Sequence, residues 1–115
     1  MATGTLANGE LAINTLENIY SIPLAENEGG YAVVSIMMLN THSTADMNIR
    51  IALHGASLTD ADYIEYDTTI VPKGMIERTG IVVGAGQAIS LICTNSAECV
   101  FRINGTEVGL VDPIA

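Results

Sequence analysis

Tryptophan is absent from this chain of 115 residues, phenylalanine occurs once and tyrosine four times. A core resting on aromatic rings is therefore excluded, and so few rings weigh against a glycan-binding platform, which presents several ring faces. Basic residues are nearly as scarce. Arg50, Lys73, Arg78 and Arg102 stand against thirteen acids, giving a net charge of −9. Such a field repels phosphate backbones, and the four cations are scattered along the chain, so no nucleic acid is an expected partner. No stretch comes near the roughly 20 apolar residues that span a bilayer, and no membrane partner is expected. Residues 1–10 show neither a basic start nor an unbroken apolar run, which argues against a secretion signal and for a soluble protein made in a cytosol. The two cysteines, Cys93 and Cys99, have no histidine near them in sequence and do not make a zinc site. If residues 94–98 form a hairpin loop centred on Ser96, a cross-strand disulfide fits geometrically. A cytosolic origin favours reduced, buried thiols instead.

What is present is aliphatic. Apolar residues make up 49% of the chain, and β-branched ones dominate the patterned stretches, which favours strands over helices. The length suits one domain with one core. Residues 1–16 show no period and carry an Asn8-Gly9 turn signal, so they read as an extended N-terminal arm. Residues 17–115 read as the folded domain. Strands are expected at 17–23, 31–41, 47–54, 62–70, 75–83, 87–94 and 99–104, with a short edge strand at 107–111 after an Asn104-Gly105 turn. The alternation of Met47, Ile49, Ile51 and Leu53 with Asn48, Arg50 and His54 marks an antiparallel strand with one wet face. Seven to eight strands with frequent turns predict an all-β, antiparallel β-sandwich of jelly-roll or Ig-like type. A type I turn at residues 71–74 would make 62–83 a hairpin and set Asp67 opposite Arg78.

Sites of chemistry are hard to find. Asp60, Asp62, Glu65 and Asp67 are the densest carboxylates, but Ile64 and Tyr66 occupy positions where a calcium loop needs oxygen ligands. On a regular strand Glu65 and Asp67 would share one solvated face. His42 and His54 read as surface polar residues, since no serine or cysteine lies in a nucleophile-elbow context. The stretch from Gly80 to Gly86 lacks the spacing of a phosphate-binding loop. No catalytic residue, metal or cofactor is expected, and the chain reads as a non-enzyme.

The segments Asp62-Tyr63-Ile64-Glu65-Tyr66-Asp67, Glu77-Arg78-Thr79-Gly80-Ile81-Val82-Val83-Gly84-Ala85-Gly86 and Val100-Phe101-Arg102-Ile103-Asn104-Gly105 resemble small virion structural proteins of tailed bacteriophages, notably those infecting cyanobacteria. The similarity runs from residue 15 to about residue 108. It implies a β-sandwich accessory protein of the virion, often trimeric, made in the host cytoplasm. Within that family a capsid cement (decoration) protein that bridges major capsid subunits is the first expectation. A tail, neck, baseplate or fibre component with an assembly or receptor-binding role is the alternative. No catalytic or ligand-binding residue carries over.

Self-association is expected from the pattern of residues 31–41, which are apolar on both alternating faces. One face can enter the core; the other leaves a patch too large for a solitary monomer. The residues expected at such an interface are Leu6, Leu11 and Ile13 from the arm, and Val34, Ile36 and Met38 from the strand, in a homotrimer.

Overall fold

The alternation at residues 47–54 places Met47, Ile49 and Ile51 inside in the computed structural model, which describes residues 3–94 and 99–110. Eight strands follow one another: β1 (Thr3–Leu11), β2 (Glu17–Ser21), β3 (Tyr31–Asn40), β4 (Met47–His54), β5 (Tyr63–Ile70), β6 (Met75–Gly84), β7 (Ala88–Thr94) and β8 (Cys99–Val108). The only helical element among the described residues is a 3₁₀ turn at Asp60–Asp62, capped by Thr59. Asp62 accepts hydrogen bonds from the Thr59 backbone and hydroxyl.

Two antiparallel four-stranded sheets result, sheet A in the order β1-β8-β3-β6 and sheet B in the order β2-β7-β4-β5. The pairs β1·β8, β2·β7, β3·β6 and β4·β5 describe one long hairpin rolled over on itself, which is the jelly-roll winding and not the Ig-like one. The core fills the space between the sheets. Ala32, Val34, Ile36 and Met38 enter it from β3, Met47, Ile49 and Ile51 from β4, Ile89, Leu91 and Cys93 from β7, and Cys99, Phe101 and Ile103 from β8. Its one aromatic pillar is Phe101, with Tyr20 crossing from β2 to donate its hydroxyl to Glu107 on β8. That hydrogen bond and burial push the tyrosine well above its usual range, burial being the larger cause.

Several sequence expectations are corrected here. Residues 3–11 of the expected arm are extended but lie along their own chain's β8 as an edge strand. Asn8-Gly9 is not a turn: Gly9 sits within β1, where a Cβ would touch the Phe101 ring at 3.4 Å. Asn104-Gly105 is not a turn either. A Cβ on Gly105 would meet the Val33 carbonyl oxygen at 2.2 Å, so glycine lets β8 run unbroken to Val108 against β3. Residue 111 of the expected last strand and the loop centred on Ser96 lie outside the described residues. Residues 71–74 do turn, with Gly74 N–H donating to Val71 at 2.8 Å, but Lys73 has φ 61, as a type II turn requires. The turn carries the chain from sheet B to sheet A, so β5 and β6 are no hairpin. Asp67 pairs with Arg50 and Arg78 with Glu65.

Register explains the last exchange. All four edge strands carry irregularities, at Leu6 in β1, Ile19 in β2, Tyr66-Asp67 in β5 and Thr79-Gly80 in β6, whereas β3·β8 and β4·β7 run without a shift. A bulge reverses which side chains point inward. Asp67 is left-handed (φ 54) and turns outward, while Glu65 and Thr68 point in. Bulged edges also resist pairing with other chains.

Candidate interaction surface

Because even-numbered side chains of β3 fill the core, odd-numbered ones form the spine of the outer face of sheet A. Tyr31 is flanked there by Val108 on β8 and Gly84 on β6. Val33 lies between Thr106 and Val82, Met37 between Arg102 and Glu77, and Leu39 between Val100 and Met75. Tyr31, Val33 and Val108 are 38–40% exposed, and Val82 and Met75 are 53% and 54% exposed. A soluble sheet with one wet face would carry polar residues at such positions. β1 borders the face with Thr5, Asn8 and Glu10, and the Thr5 hydroxyl donates to Asn104 Oδ1 at 3.1 Å.

Sheet B turns a different face to water. The Arg50 guanidinium donates two hydrogen bonds to Asp67, at 2.7 and 3.2 Å, and lies 3.9 Å from the centre of the Tyr66 ring. Tyr63 meets Tyr66 edge-on with ring centres 5.0 Å apart. The hydrogen bond from Arg50 holds the Asp67 carboxyl below its usual range, and its counterpart holds Arg50 protonated. The guanidinium lies over one face of the Tyr66 ring, while the residue as a whole stays exposed.

Sequence reasoning missed one pairing that resembles catalytic geometry. His54 Nε2 and Ser90 Oγ are 2.7 Å apart, and His54 Nδ1 lies 2.8 Å from the Gly55 carbonyl. No sequence signal marks it, because the two residues lie on adjacent strands 36 positions apart. Ser90 is 3% exposed and sits mid-strand between β2 and β4, whose ladders occupy the surrounding backbone amides. A hydroxyl so placed has neither room for a substrate nor an oxyanion donor. His42 serves structure too: its Nδ1 accepts from the amides of Thr44 and Ala45.

Glu65 is not part of a solvated face. It is buried at the open edge between β5 and β6, where its Oε1 accepts from the Thr68 hydroxyl at 2.6 Å and its Oε2 abuts the Arg78 guanidinium without a well-directed hydrogen bond. Among the described residues no group of three or more His, Cys, Asp or Glu side chains could hold a metal ion. Cys93 and Cys99 are buried, adjacent thiols not joined by a disulfide, and belong to different sheets and not to one hairpin ladder. The hydrogen bond with Cys93, together with burial, pushes the Cys99 thiol far above the usual range.

The six residues expected at an interface are not brought together on a surface. Val34, Ile36 and Met38 lie at 1% exposure or less inside the sandwich, and Leu11 joins them in the core. Leu6 is half-buried against that core, and Ile13 alone is exposed, beside a bridge to Cys93. The reason is parity: both faces of β3 are apolar, and the core took the even one. No family model, curated protein or solved structure matches this chain.

Proposed function

We propose that this chain is a non-enzymatic structural protein that works by adhering to other protein surfaces, and that its setting is the virion of a tailed bacteriophage. There it acts as a cement protein on the capsid, with its own copies and the major capsid subunit as partners. The observation that carries the adhesive role is the outer face of sheet A, where Tyr31, Val33, Val82 and Val108 stay exposed beside one another at one end and Met75 is exposed beside Leu39 at the other. Contiguous apolar surface of this kind marks protein contact. The virion setting is supported by the resemblance of residues 62–67, 77–86 and 100–105, which fall mostly on β5, β6 and β8; the last two strands flank the spine of this face. Jelly rolls recur in viral capsid domains, but equally in lectins and cupins, so the fold adds only an analogy. The net charge of −9 suits a position outside packaged DNA.

Quantitative mass spectrometry of purified virions tests the setting. Hundreds of copies per particle are expected of cement. A few to dozens would assign the chain to the tail, and its absence from particles would overturn the reading.

A further inference from the structure

The outer face of sheet A has a charge pattern that its apolar character alone does not require. Across the sheet at Met37, three residues stand in one row: Glu77 on β6, Met37 on β3 and Arg102 on β8. Glu77 and Arg102 are both exposed. The ion pairs among the described residues join Arg50 to Asp67 and Arg78 to Glu65, so neither of these two charges is matched by another described residue. With strands about 4.8 Å apart, their backbones lie about 10 Å from each other, one on either side of the apolar spine.

We propose that this face is closed by a second copy of the chain, in a two-fold dimer whose axis runs along β3 and crosses it near Met37. The proposal rests on the adhesive role argued above and names its first partner. Rotation by 180° about such an axis keeps each residue at its height along the strands and exchanges left for right. Glu77 of one copy then meets Arg102 of the other, and the same contact repeats on the far side of the axis. Met75 comes over Val100 and Val82 over Thr106, while Val33, Met37 and Leu39 pack on their own counterparts. Two sheets stacked in this way lie about 10 Å apart and within about 30° of aligned, well inside the reach of paired Glu and Arg side chains.

Two properties of the face favour a copy of itself over an unrelated protein. A patch carrying opposite charges at equal distances from an apolar axis is complementary to itself, the defining feature of an isologous contact. A three-fold ring would instead need two different complementary patches on each subunit. In addition, Glu10, Glu77 and Arg102 are, among the described residues, the only charged side chains placed on this face, so two copies of a strongly acidic chain meet where few acids face one another.

Light scattering coupled to size-exclusion chromatography, run on the purified full chain, should give the mass of a dimer. Glu77→Arg and Arg102→Glu should each raise the dissociation constant by about tenfold or more, because like charges then face each other. The doubly exchanged variant should recover most of the affinity, which a merely structural role for either residue would not produce. Circular dichroism melts of the same variants report that the sandwich stays folded. Met37→Cys, placed on the axis, should cross-link to its own mate under diamide, while Thr44→Cys in the β3–β4 loop should not. A monomer at about 100 µM, a trimer, or single variants without effect would overturn the dimer. Since no virion enters these measurements, a failed dimer and a failed virion assignment remain distinguishable.

Discussion

On the outer face of sheet B, Arg50 is held by Asp67 and stacked on Tyr66; on the outer face of sheet A, Glu77 and Arg102 flank Met37 with no ion-pair partner among the described residues. Both faces belong to four-stranded antiparallel sheets of one jelly roll. One has its polar groups satisfied locally, so a partner would have to break existing bonds to gain new ones. The other offers apolar area and unmatched charge, so a partner gains without breaking anything. In a jelly roll the inner faces are committed to the core and the edges here are bulged against strand pairing. The proposed assembly therefore uses a whole outer face, and sheet A is the one whose groups are left unmatched among the described residues.

The largest expected effect separates the two sides of β3. Met38 and Met37 are neighbours in sequence, but Met38 is fully buried and Met37 lies on the outer face. Met38→Ala should lower unfolding stability by about 2–5 kcal/mol, from lost transfer energy and the cavity left behind. Met37→Ala should change the stability of the separated monomer by no more than about 0.5 kcal/mol while weakening association. Urea unfolding at low protein concentration, compared with the dissociation constant, checks both. Equal losses of stability from the two would mean that the outer face is not free in the monomer.

A smaller effect is expected where the two sheets meet at β5 and β6. Arg78→Met leaves the buried Glu65 carboxylate with Thr68 as its remaining polar partner among those seen. Full burial of both ions would make this loss about 3–5 kcal/mol. Because the Arg78 side chain is half exposed, water can replace part of what it supplied, and about 1–2 kcal/mol is the expected cost. Adding Glu65→Gln should recover part of it, since the charge that lacked its partner is gone. No recovery in urea midpoints would show that Arg78 acts through its aliphatic stem.

How much of this was legible follows from what alternation can encode. The period of residues 47–54 states which side chains are inside, and Met47, Ile49 and Ile51 are there. It does not state which sheet a strand joins, so residues 62–83 read equally well as a hairpin or as a link between sheets. It carries no sign where both faces are apolar, which is why Val34, Ile36 and Met38 were expected on an outer face that instead carries Tyr31, Val33, Met37 and Leu39. Local turn chemistry misled at Gly9 and Gly105, whose glycines answer to a ring and a backbone brought near by the fold. The bulge at Tyr66-Asp67 broke parity from within, exchanging the partners of Glu65 and Asp67. The row of Glu77, Met37 and Arg102 is invisible until β6 and β8 are known to flank β3.

The smallest effect tests whether the face of sheet B is as self-sufficient as it looks. Asp67 is depressed below the usual carboxylate range by its hydrogen bond from Arg50, and both groups are exposed to water. A carboxyl whose folded value lies below its unfolded value of about 3.9 contributes stability that is fully present above that value. The contribution is lost as pH falls through the folded value, because both states are then protonated. Asn is a suitable replacement: like Asp it tolerates the left-handed backbone of residue 67, so Asp67→Asn removes charge without disturbing the bulge. Thermal melts should place the variant slightly below the parent at pH 6, with the gap closing as pH is lowered to about 3 and narrowing in 1 M salt. Association of the dimer should be unchanged throughout, since Asp67 lies on the opposite sheet from the proposed contact. A gap that persists at pH 2 would assign the role of Asp67 to its backbone geometry, and a change in association would mean that the two outer faces are not independent.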